Sequence, residues 1–353
     1  MNNKSLFHHD ILLRSAREWL VYFSQQESGK LFCLIDKNVE QLYQVSTWSD
    51  IPCFILEADE NEKSIETAVK CWESMCANHV DRQSHIIAIG GGITTDIAGF
   101  VASTYMRGVS LTHIPTTLLA MVDASIGGKT GLNLLHWKNR IGTFYSADRI
   151  VIDREFLESL ADSEWRNGWA EAVKHALIHS DELTEQILNA KTLADSKKIL
   201  TLPLLEKLMK VKLSCVSEDP FDHHLRQKLN AGHTAGHALE SFFLKKGVII
   251  DHGLAVAAGL WMETEIAFQE EMLNMKKKTL LQHYLMDYFD LPQITEDEVY
   301  LIFDRMKGDK KNQNQQIHFS LIRDWGHVCI NRTPDHMTIK DAIRSYCNAM
   351  ENS

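Results

Sequence analysis

The sequence lacks any apolar run that approaches the ~20 residues needed to cross a membrane. Its first ten residues lack the apolar core of a secretory signal peptide. Its seven cysteines are scattered, odd in number and without a C-x-x-C pair, which predicts free thiols in a reducing compartment. From these absences we expect a cytoplasmic protein with no membrane partner.

Positive charge is also scarce, with 37 Lys and Arg against 47 Asp and Glu and a net charge of −10. A general nucleic-acid binder would usually be basic, so nucleic acid is disfavoured as a partner. The 353 residues, 44% of them hydrophobic, suit two globular domains with ample cores. No repeats or low-complexity tracts occur, and residues 312–316 are predicted to form a polar loop.

Short apolar runs alternate with helical patterns in the first part of the chain. The expected strands are residues 31–35, 53–56, 86–89, 109–114 and 149–152, with a helix over 64–77. Helical periodicity then dominates, over residues 169–178, 204–216, 234–244, 254–271 and 338–348, with strands near 317–322 and 327–330. The pattern predicts an α/β, Rossmann-like domain with a mostly parallel sheet over residues 1–155, followed by a mainly α-helical domain over 156–353.

The segment Gly90-Gly91-Gly92 follows an apolar run and precedes a helical pattern that starts at Ile97. A strand, tight turn and helix in this order let backbone N–H groups approach a phosphate. The dinucleotide motif G-x-G-x-x-G would need glycine where Thr95 stands, so the triplet alone also fits a structural turn. The Gly- and hydroxyl-rich stretch 114–130 that follows favours a nucleotide site beside a polar substrate pocket.

His233 and His237 are four residues apart, on one face of a predicted helix. His252 lies downstream and Glu171 upstream. Two neutral imidazoles and one carboxylate with an open fourth position form a catalytic zinc set. The alternative is a surface or helix-capping role, and spacing leaves open which of the three histidines are ligands.

Basic and amide side chains lie in or near the same segments. Several of them in one cleft would bind a phosphate or a carboxylate, and the alternative for each is a solvated surface charge. They are Lys129, Lys138, Asn139, Lys174, Lys212, Arg226, Asn230, Lys310 and Lys311.

Long, ordered motifs occur in both halves of the chain. They include residues 90–92 (GGG), 105–108 (YMRG), 115–120 (PTTLLA), 127–130 (GGKT), 168–174 (GWAEAVK), 226–237 (RQKLNAGHTAGH), 252–253 (HG) and 309–312 (DKKN). From about Leu31 to the C-terminus, these motifs resemble the 3-dehydroquinate synthase family of sugar-phosphate cyclases.

The resemblance implies that the first domain binds NAD and that the second binds metal and substrate. It implies zinc, with Co²⁺ as an alternative, held by Glu171, His233 and His252, and it places His237 in the substrate pocket. The implied NAD contacts are Asp36, Asn38, Glu60, Lys63, Gly90, Gly91, Gly92, Asp96, Thr116, Thr117, Lys138 and Ser159.

The resemblance also implies a set of catalytic residues that contact a small sugar-phosphate substrate. Arg107 resembles an arginine that reaches the phosphate pocket of a partner subunit, which implies a homodimer. The other members are Asp123, Lys129, Asn139, Lys174, Lys212, Arg226, Asn230, His237 and one of Lys310 or Lys311.

The implied activity is that of a carbon–oxygen lyase in the shikimate route to chorismate and the aromatic amino acids. The substrate, 3-deoxy-D-arabino-heptulosonate 7-phosphate, would be transiently oxidised by NAD and would lose phosphate by β-elimination. Reduction, ring opening and an intramolecular aldol reaction would then give 3-dehydroquinate and regenerate the cofactor.

The chain departs from the family at several positions without losing a group assigned to chemistry. Leu254 replaces a family Glu beside His252, Trp137 replaces a Gly, Pro220 follows Asp219 in place of Glu, and Ala161 replaces a Pro.

Three alternatives compete with the synthase. They are a sibling cyclase of the inosose or valiolone type, a polyol dehydrogenase, and a catalytically inactive binding protein. Lys212 with Arg226 favours a substrate that carries a carboxylate, and the retained ligand set argues against an inactive protein.

Overall fold

A computed structural model describes residues 10–27, 29–135, 137–307 and 316–351. Lys310, Lys311 and residues 312–315 of the predicted polar loop lie outside the described residues. The chain divides into two compact units, Met1–Trp165 and Arg166–Ser353. The assignment of separate cofactor and substrate roles to two domains stays a prediction.

The first unit is built on a six-stranded sheet in the order β1-β8-β5-β4-β2-β3, and every pairing in it is parallel. The central strand β4 is buried along its whole length, as expected for a parallel sheet covered by helices. The predicted α/β class with a mostly parallel sheet is confirmed. The strands are β1 (Asp10–Leu13), β2 (Leu31–Asp36), β3 (Cys53–Leu56), β4 (His85–Gly90), β5 (Ser110–Pro115), β6 (Leu132–Leu134), β7 (Trp137–Ile141) and β8 (Arg149–Ile152).

Helices in this unit are α1 (Ala16–Gln26), α2 (Lys37–Tyr43), α3 (Ile65–Ala77) and α4 (Gly92–Thr104). Helix α4 begins at Gly92, whereas the apolar pattern in the sequence starts only at Ile97. The pattern missed the first turn because the residues buried there, Thr94 and Thr95, are polar. Strands β6 and β7 form a separate antiparallel hairpin. A π-helical turn at Ala120–Ala124 follows β5.

The second unit is mainly helical, as predicted, with one antiparallel pair of strands, β9 (Phe319–Asp324) and β10 (His327–Arg332). A search of the described ranges finds no helix with both the length and the apolar character of a membrane span. The helices are α5 (Asp162–His179), α6 (Asp181–Leu188), α7 (Leu193–Ile199), α8 (Leu202–Glu218), α9 (His233–Lys245), α10 (His252–Gln269), α11 (Met275–Tyr288), α12 (Val299–Lys307) and α13 (His336–Glu351).

Helices α9 and α10 touch through their backbones. A Cβ atom on Gly259 would lie 1.9 Å from the carbonyl oxygen of Gly232, and one on Gly236 would lie 2.9 Å from the oxygen of Ala255. Glycine at these positions is therefore a packing requirement. The contact fixes the two helices whose first residues are His233 and His252.

We predict that Gly259→Ala lowers the free energy of unfolding by about 3 kcal/mol. The added methyl group would meet two backbone atoms, the oxygen of Gly232 and the nitrogen of Gly236 at 2.7 Å, and neither can rotate away. Urea unfolding followed by far-UV circular dichroism measures the change.

Gly247→Ala is the control, because nothing lies within 4 Å of a Cβ atom there and only its φ of +77° is unfavourable for alanine. That strain costs about 1–2 kcal/mol. A loss at Gly259 no larger than the loss at Gly247 would mean that α9 and α10 can separate freely.

Candidate functional site

Glu171, His233 and His252 converge in the second unit. The Oε1 atom of Glu171 lies 3.5 Å from His233 Nε2 and 3.4 Å from His252 Nε2. One ligand atom from each residue falls within 4.8 Å of the others, and Glu171 has no solvent exposure. One carboxylate and two imidazoles are a donor set that suits a divalent metal ion.

The local sequence explains why these groups face one another. Glu171 and Lys174 lie three residues apart on one face of α5, and the Lys174 ammonium forms an ion pair with Glu171. His233 and His252 are the first residues of α9 and α10. A carboxylate as deeply buried as Glu171 requires compensating positive charge, and Lys174 supplies part of it.

Hydrogen bonds on the far side of each imidazole orient the two rings. His233 Nδ1 donates to the carbonyl oxygen of Ala231 at 3.2 Å, and His252 Nδ1 donates to Glu240 Oε2 at 3.3 Å. Each Nε2 is thereby directed toward Glu171. Partners of this kind usually set the tautomer of a metal-binding histidine, so the residues present fit a metal ion.

Glu240 was not anticipated from the sequence. It lies three residues after His237 and seven after His233, so helical periodicity places it on the same face of α9. That spacing is the sequence feature that could have indicated it. Glu240 supplies a carboxylate to His252 in a chain where Leu254 has replaced the family Glu.

The electrostatics of the two imidazoles differ. Burial, reinforced by the positive charge of Lys174, holds the pKa of His233 well below its usual value. Burial acts in the same direction at His252, but Glu240 and Glu171 outweigh it and raise the pKa of His252 to about 10. The two carboxylates therefore draw a positive charge to this position.

His237 is exposed, and its ring centroid lies 5.3 Å from that of His233 and 6.0 Å from that of His252. The structure thus brings together all three histidines, and spacing alone could not show which of them are metal ligands. His237, Glu240 and His252 form a second group whose ligand atoms lie within 4.8 Å of one another. The group formed by Glu171, His233 and His252 fits the ring orientations better. In His252 the Nδ1 atom is already hydrogen-bonded to Glu240, and the Nε2 atom that remains for a metal ion faces Glu171.

Two further predicted cations are buried in the second unit. Lys212 on α8 is 7% exposed, and Arg226 is 2% exposed. The carboxylate of Asp219 shapes the loop before Arg226 by accepting hydrogen bonds from the backbone N–H groups of His223, His224 and Arg226. Arg226 Nη1 donates to the carbonyl oxygen of Pro220 at 2.6 Å. Asp219 and Pro220, the pair at which the chain differs from its family, therefore both contact this arginine.

Asn230 ends the same segment, the 3-10 helix Leu225–Asn230, which packs against α8. No described contact joins Asn230 directly to the other predicted substrate residues.

In the first unit, the glycine triplet connects β4 to α4, with Gly91 as the N-cap residue. A Cβ atom on Gly90 would lie 2.8 Å from the Cβ of Asp36, which ends the neighbouring strand β2. The turn therefore lies at the carboxyl ends of adjacent parallel strands, where ligands bind in such sheets.

Asp36 is buried beside this turn. Its carboxylate caps α2 and accepts a hydrogen bond from the backbone N–H of Asn38 at 2.8 Å. Burial raises the pKa of Asp36, while hydrogen bonds from the N–H groups of Asn38, Val39 and Gly91 act against the increase. The side chain thus places an acceptor next to the glycine backbone.

Lys63 joins a predicted cofactor residue to a predicted substrate residue. Its ammonium donates to Asp96 Oδ2 and to Asn139 Oδ1, both at 2.6 Å. Asn133 extends the network, because it accepts from the backbone N–H of Asn139 at 2.9 Å and donates to Glu60 Oε1 at 2.8 Å. Asn133 was not predicted, and a single Asn in a short hairpin gives no pattern that could have indicated it.

The other predicted residues of the first unit are distributed over several elements. Thr116 donates its N–H to the oxygen of Gly90 at 3.0 Å, and the Ser159 hydroxyl lies 2.6 Å from that of Tyr43. The methyl group of Thr117 would lie 3.1 Å from a Cβ atom on Gly91. Gly92 begins α4, Asp123 lies in the π-helical turn, and Arg107, Lys129 and Lys138 are exposed.

Two solved structures share this fold over nearly the whole chain. The 2-epi-5-epi-valiolone synthase from Streptomyces hygroscopicus subsp. jinggangensis, with NAD⁺ and Zn²⁺ bound, has a TM-score of 0.85 and 25% identity, covering 99% of each chain. A 2-deoxy-scyllo-inosose synthase, complexed with carbaglucose-6-phosphate, NAD⁺ and Co²⁺, has a TM-score of 0.81 and 23% identity, covering 95% of this chain and 96% of that one. The second similarity is to the fold alone.

Sequence comparison identifies the family. Residues 53–167 match the family described as 3-dehydroquinate synthase N-terminal, and residues 168–312 match 3-dehydroquinate synthase C-terminal. The 3-dehydroquinate synthase of Parabacteroides distasonis is 32% identical over 331 residues, which cover 92% of this chain and 93% of that protein. The resemblance inferred from the motifs is confirmed, and the chain belongs to the 3-dehydroquinate synthase family.

Proposed function

We propose that the protein converts 3-deoxy-D-arabino-heptulosonate 7-phosphate into 3-dehydroquinate and inorganic phosphate. The convergence of Glu171, His233 and His252 beside Lys174, in a chain of this family, carries the proposal. The reaction is a carbon–oxygen lyase step in the shikimate route to chorismate and the aromatic amino acids. We expect it to take place in the cytoplasm.

The proposal includes two cofactors. Glu171, His233 and His252 would hold Zn²⁺, or Co²⁺ in its place, while Asp36, the glycine turn and the other predicted contacts in the first unit would hold NAD. Both cofactors occur in the 2-epi-5-epi-valiolone synthase structure. When bound, the ion would polarise a substrate hydroxyl and NAD would take up and return a hydride.

Buried cations of the second unit would bind the anionic groups of the substrate. Lys212 and Arg226 are almost fully buried, and a cation fixed in a buried position can form short, charge-assisted hydrogen bonds with an anion. The guanidinium group of Arg226 has the planar geometry that binds a carboxylate or phosphate with two hydrogen bonds. Fixed cations stabilise a leaving phosphate without reorganising water.

Proton transfer would fall to residues that can exchange a proton beside the substrate. His237 is exposed and close to the metal-binding set, and the Asp123 carboxylate lies in the π-helical turn of the first unit. An imidazole and a carboxylate are the usual general acid–base groups. Lys129, Asn139 and Asn230 complete the proposed substrate contacts.

We include a homodimer in the proposal. Arg107 is exposed and has a φ of +71°, in a turn where Met106 has a φ of +48° and Gly108 of +117°. The exposure of Arg107 in this turn supports a role in reaching a partner's phosphate pocket.

A sibling cyclase acting on a substrate without a carboxylate is the second candidate. The TM-score of 0.85 to a valiolone synthase favours it. The two buried cations, Lys212 and Arg226, favour the heptulosonate, because its carboxylate adds an anion that the sibling substrates lack. The sequence identity to 3-dehydroquinate synthases points the same way.

We predict that His233→Ala loses its bound zinc while the fold is retained, because the substitution removes one of three ligands. Metal content after dialysis, measured by inductively coupled plasma mass spectrometry, should fall from near one ion per chain to near zero.

His237→Ala is the matched control, since it removes an imidazole four residues away on the same helix and should leave the zinc content unchanged. The opposite pattern, with zinc kept in His233→Ala and lost in His237→Ala, would assign the ion to the His237, Glu240 and His252 group.

We predict that Lys63→Met weakens NAD binding roughly tenfold or more. The substitution removes the ammonium group that holds Asp96, another predicted NAD contact, in place, and a tenfold loss of affinity corresponds to about 1.4 kcal/mol of binding free energy. Isothermal titration of the zinc-loaded protein with NAD gives the affinity. Lys70→Met serves as the control, because the Lys70 side chain is 60% exposed and 3.9 Å from Glu62. Equal NAD affinities in both variants would remove Lys63 from the cofactor site.

We predict that the protein loaded with NAD and zinc releases inorganic phosphate from the heptulosonate phosphate without net formation of NADH. A phosphate assay combined with NADH absorbance tests this directly. Phosphate release only from a carboxylate-free sugar phosphate, such as glucose 6-phosphate, would transfer the assignment to the sibling cyclases. Accumulation of NADH would indicate a polyol dehydrogenase.

A further inference from the structure

Helix α9, which begins with His233, has no N-terminal cap from its own sequence. Its N-cap residue is Gly232, with a φ of +80° and no side chain. The third residue of the helix is Ala235, which cannot accept a hydrogen bond either. The first N–H groups of a helix have no partner within it, and a buried helix end requires other acceptors.

Glu263 of α10 supplies the missing acceptors. Its Oε2 accepts from the N–H of Gly232 at 2.7 Å, and its Oε1 accepts from the N–H of Ala235 at 3.1 Å. In a capping box these two N–H groups are bound by two side chains of the helix itself. Here one carboxylate, 3% exposed and from a neighbouring helix, binds both.

The capped backbone is the same segment that orients the imidazole of His233. His233 lies between the two N–H groups that Glu263 binds, and its Nδ1 donates to the carbonyl oxygen of Ala231. Movement of the Gly232 backbone would therefore shift both the Cα of His233 and the acceptor that sets its ring orientation. The negative charge of Glu263 also lies at the positive end of the α9 dipole, which favours the bonded arrangement.

We propose that Glu263 is a positioning residue for the metal centre, holding His233 Nε2 in its direction toward Glu171 through the backbone of Gly232 and Ala235. This inference rests on the proposed function, because it takes Glu171, His233 and His252 as metal ligands. It assigns to Glu263 an effect on metal affinity in addition to any effect on stability.

Glu263→Gln tests the proposal with little change in volume. The amide keeps one oxygen acceptor, but its NH₂ group faces a backbone N–H, so one of the two hydrogen bonds is lost. We expect the Co²⁺ affinity of the apoprotein, measured by competition with a chelator, to fall about tenfold, the lower end of the effect seen when a partner behind a metal ligand is removed. The visible absorption band of bound Co²⁺ should change in position or intensity, because the ligand geometry changes.

Glu265→Gln is the matched control. Glu265 lies on the same helix and is 6% exposed. Its carboxylate binds Lys278 at 2.7 Å, Gln269 at 3.1 Å and Gln282 at 3.2 Å, none of which belongs to α9. Its loss should lower the melting temperature and leave the Co²⁺ affinity and absorption band unchanged.

The outcomes separate the two hypotheses. If the unaltered protein binds no Co²⁺, the proposed metal centre fails and this inference fails with it. If the unaltered protein binds Co²⁺ and Glu263→Gln binds it equally well with the same absorption band, Glu263 only stabilises the fold.

Glu263→Asp provides a second variant, because the shorter carboxylate can reach one N–H group but not both. Weaker Co²⁺ binding in this variant supports positioning. Failure of both Glu263 variants to fold, with Glu265→Gln folded, would restrict Glu263 to stability and overturn the proposal.

Discussion

The complete burial of the Glu171 carboxylate is the constraint on which the second unit depends. An ionised carboxylate without solvent contact is stable only where positive charge surrounds it. Lys174 supplies positive charge from the same helix, and so does His252, whose pKa is raised, from α10. The imidazole of His233, whose pKa is lowered, approaches from α9. As part of an ordinary hydrophobic core, this buried carboxylate would lower the stability of the fold. The same arrangement is well suited to a site that binds a cation.

Helix termini do much of the positioning in both units. His233 and His252 each begin a helix, Asp36 caps α2, and the glycine turn opens α4. The first turn of a helix offers N–H groups without intrahelical partners and a dipole that favours anions. Residues there are held by the helix that follows them, and the first turn of a helix is suited to binding an anionic ligand.

Local patterns in the sequence were sufficient for the features that depend on neighbours along the chain. The buried strand HIIAIG and the spacing of Glu171 from Lys174 are of this kind. The spacing of the histidines could not show which of them face Glu171, because that depends on how closely α9 packs against α10. Glu263 was equally hidden, since it acts on Ala235 from 28 residues away. Strand β7 (Trp137–Ile141) is mostly exposed and carries no apolar alternation, so it left no periodic pattern in the sequence.

The glycine contact of α9 with α10 has a consequence for the lifetime of a bound ion. Because these helices meet backbone to backbone, His233 and His252 behave as one rigid pair of ligands. Helix α5, which carries Glu171, is held against the same pair, because a Cβ atom on Gly253 would lie 2.0 Å from the carbonyl oxygen of Asn167 and the Gly253 N–H donates to Asn167 Oδ1 at 2.6 Å. Exchange of the ion would then require movement of three helices that are in close contact. A slow dissociation rate would follow from that packing, even with an affinity that is ordinary for the donor set.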